Sequence, residues 1–218
     1  MPSSELVGPQ DPEGRGRPAQ AGLDVQLGRE LMERAQAEGV SLVGNGGLLA
    51  VGLGTVRRFA EGDSVEELTH LLHLAYADHA AAGRVFFASY QSAQDTAYRL
   101  GKGECWVAFQ GNAMVATVTV AAPFAAPEEY PAPAGAGSFW QLAVEPSQQG
   151  TGLGQRLLTL AEERIAALGS GQVVIDTSSQ ASELVGWYRR RGYVPVGTWR
   201  WDVTNYDSVV LVKDLSER

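Results

Sequence analysis

From Thr55 onward the apolar and polar positions of this 218-residue chain fall into short elements of alternating period. Thr55 to Phe59 reads as a first strand. Val65, Leu68, Leu72, Ala75, Tyr76 and His79 then recur at helical spacing, and Ser64 with Glu67 three residues on gives that helix a capping box. Ser92 with Asp95 opens a second, shorter helix that ends near Gly101 or Gly103. Cys105 to Phe109 and Met114 to Val120 read as two strands around Gln110-Gly111-Asn112-Ala113, a hairpin turn, so the sheet is antiparallel here. Residues 123–137 carry proline at four positions and cannot continue a ladder, which makes them a long loop and a candidate binding rim.

Ser138 to Val144 is the next strand, stopped by Pro146. A helix follows with Leu153, Leu157, Leu158, Ala161, Ile165 and Leu168 on one side. Val173-Val174-Ile175 comes after it without room for a hairpin, which implies a parallel β-α-β crossover. A further helix runs from about Ala181 to Arg191 and stops at Gly192. Two last strands, roughly Val194 to Val203 and Ser208 to Leu215, are joined by Thr204-Asn205-Tyr206-Asp207. The order is strand, two helices, three strands, helix, strand, helix, two strands. The fold class is α/β in the mixed α+β sense: a mostly antiparallel sheet with one parallel step, flanked by helices.

Upstream of Thr55 the texture differs. Residues 1–22 are rich in Gly, Pro, Gln and charge and are expected to be a disordered tail. Asp24 to about Ala37 suits a helix. Gly44 to Gly54 is glycine-rich but lacks the Gly-Lys-Ser/Thr ending of a phosphate loop, so a linker is expected. We place the domain boundary here: 1–54 as an extension and 55–218 as the domain. Within residues 24–53, Leu31 to Val40 and on through Gly46-Gly47-Leu48-Leu49 resembles the N-terminal segment of mutator-type transposases. That segment holds no catalytic carboxylates, and it reads as sequence added to the start of the chain.

Charge and composition narrow the function. A formal net charge of −8 and a pI near 4.9 argue against broad attraction to nucleic acid or anionic lipid. No apolar run approaches the roughly 20 residues of a membrane span, and the N-terminus lacks signal-peptide features, so a cytoplasmic protein is expected. The single cysteine, Cys105, sits in an apolar run and reads as a buried strand residue. His70, His73 and His79 share one helix, and with no third ligand in view no metal is assigned.

The chemistry concentrates in Leu142-Ala143-Val144-Glu145-Pro146-Ser147-Gln148-Gln149-Gly150-Thr151-Gly152-Leu153-Gly154-Gln155. Alternate glycines between a strand and a helix let bare backbone approach an anion, aim several N–H groups at it and add the positive end of the helix dipole. A pyrophosphate is the natural guest. After Gly150 and Gly152 the third glycine comes two residues on rather than three, which departs from the dinucleotide fingerprint.

Gln149-Gly150-Thr151-Gly152-Leu153-Gly154 resembles the Gln/Arg-x-x-Gly-x-Gly/Ala signature of the Gcn5-related (GNAT) N-acetyltransferases. Trp187-Tyr188-Arg189-Arg190-Arg191-Gly192-Tyr193 resembles the Leu-Tyr-x-x-x-Gly-Phe block of the same family, and the two blocks with the element order cover about residues 55–215. The resemblance implies the GNAT fold, in which the strand before the turn splays from the one after the helix. It implies acetyl-coenzyme A as co-substrate, with the backbone of Leu142, Ala143 and Val144 pairing with its pantetheine arm. The N–H groups of Gly150 through Gln155 would hold the pyrophosphate.

The resemblance also makes Tyr188 the acid that protonates the departing thiolate. Asp176, twelve residues earlier, matches a carboxylate used by members that acetylate ribosomal-protein N-termini. It is one candidate for the base that deprotonates the acceptor ammonium. Glu145, Glu128, Glu129 and an ordered water chain are its rivals. Arg189, Arg190 and Arg191 lie near enough in sequence to touch coenzyme phosphates or simply cap a helix end. Many members carry Asn where this chain has Ala181. The implied partner is an amine-bearing small molecule or peptide, with no nucleic acid or membrane, acted on by a monomer or homodimer. A coenzyme A-binding sensor without catalysis is the alternative. Trp140, Trp199, Trp201, Tyr206 and the acidic loop residues could shape a pocket for a cationic amine, and Trp199 with Trp201 on one strand face could instead form a dimer surface.

Overall fold

A computed structural model describes residues 55–216. The expected tail, the helix over 24–37, the glycine-rich linker and the transposase-like segment lie outside the described residues.

The elements follow the expected order: β1 (Val56–Arg58), α1 (Val65–Ala81), α2 (Ala93–Leu100), β2 (Glu104–Gln110), β3 (Ala113–Ala121), β4 (Gly137–Val144), α3 (Leu153–Ala167), β5 (Gln172–Ser178), α4 (Ser182–Arg189), β6 (Val194–Trp199) and β7 (Ser208–Asp214). They build one seven-stranded mixed sheet in the order β1-β2-β3-β4-β5-β7-β6. Every neighbour pair is antiparallel except β4 with β5, the parallel step expected from the crossover helix.

The pleat sorts the core into two layers. Along β2 and β3, Ala108, Ala116, Val118 and Val120 turn to the face covered by α3, where Leu157, Leu158, Ala161 and Ile165 are buried. Val107 and Met114 turn to the face covered by α1 and α2, against Leu68, Leu71 and Leu100. Fully burying side chains of this kind contributes roughly 1.5–3 kcal/mol each. Cys105 belongs to the second layer and is buried, as its apolar surroundings implied.

The helix starts depart from expectation in one detail. Ser92 and Asp95 form the full capping box of α2. At α1 the Ser64 side chain accepts from the Glu67 N–H at 3.0 Å. The Glu67 carboxylate, however, does not reach back to Ser64 N–H; it accepts the Met114 N–H at 2.8 Å and ties α1 to β3. A tertiary donor has displaced the local one.

The site is positioned by the splay of β4 from β5. They pair only at Gly137↔Val173 and Ser138↔Val174. From Ile175 on, β5 is held by β7 alone. The divergence has a local cause in β4. Thr117 pairs with Ala143 and Thr119 with Trp140, so β4 carries one extra residue, and Gln141 takes a left-handed φ of 53° there. Such a bulge bends its strand, and a non-glycine residue at positive φ persists only where its surroundings impose it. Gly137 is needed at the root of the splay, because a Cβ there would collide with Ile165 of α3.

At the far edge, β6 ends at Trp199 rather than continuing to Val203. Residues 200–207 instead turn back, closed by an Arg200–Asp207 ion pair at 2.8 Å. This turn brings the Trp201 ring over the 123–136 loop, 5.7 Å from the Tyr130 ring, with Trp199 5.4 Å from the same ring. The two indoles pack within the fold, so the dimer-surface reading gains no support. A buried ionic cluster fixes α3 to β7: Lys213 donates to both Glu162 oxygens at 2.8 Å, and the Tyr193 hydroxyl donates to the same carboxylate at 3.0 Å.

Candidate active site

The wedge opened between β4 and β5 has two parts, one made of backbone and one of side chains.

The backbone part is the turn into α3. Gly150 and Gly152 take φ of 76° and 88°, and a Cβ on either would meet no atom within 4 Å. Both glycines are therefore required by conformation, not by crowding. Gly152 is the N-cap, and the first helical bond runs from Arg156 N–H to Gly152 C=O at 3.1 Å. The N–H groups of Leu153, Gly154 and Gln155 precede that bond and find no acceptor within their own helix. Gly154 is helical, and a Cβ there would touch Val144. Gln149 donates its amide to the Val144 carbonyl at 3.2 Å, and Thr151 donates its hydroxyl to the Gln148 carbonyl at 2.7 Å, which pins the loop. Gln155 is exposed and accepts from Arg191 at 3.2 Å.

Arg191 accordingly meets this helix start, stacked 3.9 Å from the Trp187 ring centroid, while Arg189 and Arg190 are exposed. Leu153 is buried in the core beneath the turn. On β4, Leu142 and Val144 are half-buried and Ala143 is buried. The Leu142 carbonyl accepts from the Tyr76 hydroxyl at 3.0 Å. Ala181 stands at the N-cap of α4 without a side-chain cap.

The side-chain part is a cavity of about 580 Å³ walled by aromatic residues, among them Tyr76, Phe139, Tyr188, Trp201 and Tyr206. Tyr188 and Asp176, expected from sequence, both line it, as does Leu142. Tyr188 is buried, with its ring 6.3 Å from Phe139 and 5.4 Å from Tyr193. Burial raises its hydroxyl well above the usual phenol value, and nearby Tyr76 and Asp176 add to the shift. The group is a proton donor at any pH near neutrality. Asp176 stands within β5. Its Oδ1 accepts from the Tyr130 hydroxyl at 3.1 Å and its Oδ2 from the Trp201 indole N–H at 2.9 Å, so both oxygens are held in fixed orientation.

The rival carboxylates lie elsewhere. Glu145 caps a short 3₁₀ turn by accepting from Ser147 N–H at 3.0 Å, and Glu128 and Glu129 are exposed; none of the three lines the cavity. The charged cavity residues besides Asp176 are Arg99 and Lys102, which sequence reasoning missed. Arg99 falls in the last turn of α2, where a cation suits the helix dipole, and nothing in the sequence distinguishes it from a solvated helix arginine. The histidines are apart in role: His70 is exposed, His73 bonds the Gln91 carbonyl at 2.8 Å and His79 packs on Phe86. Among the described residues no group of His, Cys, Asp and Glu has the arrangement of a metal site. Among the same residues no helix is long and apolar enough to cross a membrane.

The site therefore joins a strand edge freed by a bulge, a positive-φ glycine turn beyond it and a buried tyrosine on the helix that follows β5. Residues 101–195 match the family model of the acetyltransferase (GNAT) domain, so this part of the chain is similar to the acyltransferases of that family. Over 142 residues the chain is 28% identical to an S-(2-succino)cysteine N-acetyltransferase of Bacillus subtilis (strain 168), covering 64% of this chain and 84% of that protein.

Two solved structures share the fold. The ribosomal-protein-S18-alanine N-acetyltransferase of Escherichia coli superposes with a TM-score of 0.57 at 16% identity, over 75% of this chain and 95% of that one. A GNAT family acetyltransferase of Elizabethkingia anophelis, with acetyl-CoA bound, superposes with a TM-score of 0.51 at 16% identity, over 74% and 97%.

Proposed function

We propose that this protein transfers an acetyl group from acetyl-coenzyme A to the primary amine of a small molecule or peptide by direct attack. One observation carries the reading: the open glycine turn and the buried Tyr188 stand on opposite sides of a single wedge, whose root is the two-residue pairing of β4 with β5. The co-substrate fits the backbone present. Its pyrophosphate would take the N–H groups at the start of α3, and its pantetheine arm would run along the β4 edge at Leu142 to Val144 as an added strand. For that arm to bond the Leu142 and Val144 carbonyls it must share them with Tyr76 and Gln149. A carbonyl has two lone pairs, so sharing is chemically allowed.

In the reaction the amine nitrogen forms a C–N bond to the thioester carbonyl carbon and the C–S bond breaks. Asp176 takes one proton from the ammonium and frees the attacking lone pair; as the adduct collapses Tyr188 gives its proton to the departing sulfur, and the second proton released by the nitrogen restores the phenol. Strand N–H groups would stabilise the oxyanion formed between these steps. The solved structure with acetyl-CoA bound supports the donor. The relative named for an S-substituted cysteine places amino-acid derivatives among the acceptors to be tried. Replacing Tyr188 with Phe should lower kcat about 100-fold while leaving the Kd for acetyl-coenzyme A unchanged. Steady-state kinetics and calorimetry check this, and a kcat unchanged across pH would remove Tyr188 from the mechanism.

A further inference from the structure

Acetyl transfer as derived above uses Tyr188 and Asp176 and leaves the cationic side of the cavity without a task. Arg99 stands there. Its guanidinium carbon lies 5.4 Å from the Phe87 ring centroid, and its Nε is buried with no hydrogen-bond partner. It enters no ion pair among the described residues. Other arginines of this chain are treated differently: Arg57 grips Asp63 through two nitrogens at 2.6 Å, and Arg164 grips Glu104 at 3.0 to 3.1 Å. Arg84 and Arg191 also keep a buried Nε without a partner, but each spends another nitrogen on a protein acceptor, His79 for Arg84 and the Trp187 carbonyl and Gln155 for Arg191, whereas Arg99 makes no hydrogen bond to the described residues.

Gln141 repeats the pattern on the same cavity. It is buried at the β4 bulge, its Oε1 accepts from Thr119 at 3.2 Å, and its Nε2 has no partner. The Thr177 hydroxyl, a third cavity-lining group, is likewise buried and unpartnered. Buried polar atoms are costly when unpaired, and native interiors rarely keep several together. An arginine Nε and an amide nitrogen are donors only, so a ligand group meeting both must be an acceptor. A carboxylate matches the planar fork of a guanidinium, and Lys102 at the exposed rim adds a second positive charge. Asp176 is not that carboxylate: it forms no ion pair with Arg99, and its oxygens are oriented by Tyr130 and Trp201, each keeping a lone pair free.

Relying on the acetyl-transfer reading for the fate of the amine, we propose that the acceptor is an amine carrying a carboxylate, an amino acid or amino-acid conjugate, and that Arg99 with Gln141 holds the carboxylate while the amine faces Tyr188 and Asp176. A cavity of about 580 Å³ suits such a molecule in size. A peptide N-terminus, whose carboxylate is an amide, offers Arg99 nothing at this position.

The test compares two thioether amines, S-carboxymethyl-L-cysteine, with two carboxylates, and S-ethylcysteamine, with none. The wild-type protein should acetylate the first with a kcat/KM about 100-fold above the second. Arg99→Gln should erase that preference by raising KM for the first probe, with the Kd for acetyl-coenzyme A unchanged, and Arg99→Lys should restore part of it. A preference that survives Arg99→Gln, or equal use of both amines by the wild type, overturns the assignment. If neither amine is acetylated, quenching of the cavity tryptophans decides: the carboxylated probe must bind in an Arg99-dependent manner, and failure to bind overturns the assignment. Calorimetry with acetyl-coenzyme A alone reports separately on the donor reading.

Discussion

The glycine turn follows the end of β4, the aromatic cavity is lined by Ser138 to Leu142 of the same strand, and the two are made of different materials. At the turn, Gly150 and Gly152 offer open space, the N–H groups of Leu153, Gly154 and Gln155 have no acceptor within their helix, and side chains mainly pin the loop from outside. In the cavity, residues from α1, α2, β3, β4, β5, α4 and several connections converge. A site made of backbone recognises what the whole class binds, because its geometry depends on conformation and tolerates changes in most side chains. A site made of side chains can be altered one residue at a time. On the function proposed above, the donor end is the general part of this molecule and the acceptor end the particular part.

The largest expected break in that contrast comes from Gly152→Val. A β-branched residue resists φ of 88° and crowds the anion, although its Cβ would touch nothing in the fold. Loss of about two charge-assisted hydrogen bonds should weaken acetyl-coenzyme A binding about 300-fold. Far-UV circular dichroism should show the helix content kept.

A change in the cavity should do the opposite. Asp176→Asn keeps the shape but removes the base, and should lower kcat/KM for the acceptor about 100-fold at pH 7 while sparing donor affinity. The loss should shrink as pH rises toward the acceptor's own pKa, because solvent then supplies the neutral amine; a loss independent of pH would assign Asp176 a purely structural role.

The smallest effect near neutrality concerns stability. Burial pushes the Tyr76 hydroxyl up to about 12 and those of Tyr130, Tyr188 and Tyr206 higher still. In the unfolded chain the same groups ionise near pH 10. Above that pH the unfolded state releases protons that the folded state retains, so stability falls as pH rises. Chemical denaturation should show no contribution from these tyrosines at pH 7 to 9 and a loss above pH 10 of up to about 1.4 kcal/mol per pH unit per tyrosine. Tyrosines that titrate near 10 in the folded protein would mean that the cavity is wetter than its walls imply.

The same contrast explains what could be read from the sequence. The glycine turn declares itself in six contiguous residues, because left-handed φ restricts residue type locally. The order of elements was legible for a similar reason: periodicity and caps such as Ser92 with Asp95 act over a few residues. The bulge at Gln141 was not, since nothing in Trp-Gln-Leu-Ala announces an extra residue against β3. Trp201 was assigned to a strand by alternation, whereas its indole N–H bonds Asp176 and draws the chain into a turn. Arg99 was invisible because its role depends on which groups decline to pair with it, which only the assembled cavity determines. The acidic loop residues Glu128 and Glu129 attracted notice by charge and stay outside.

The central claim, that donor and acceptor are read by separable parts of one wedge, is tested most directly by calorimetric titration of acetyl-coenzyme A into the wild-type protein, Gly152→Val and Arg99→Gln side by side. Wild type and Arg99→Gln should bind alike, with Gly152→Val about 300-fold weaker. Binding by Gly152→Val equal to that of the wild type would contradict the account.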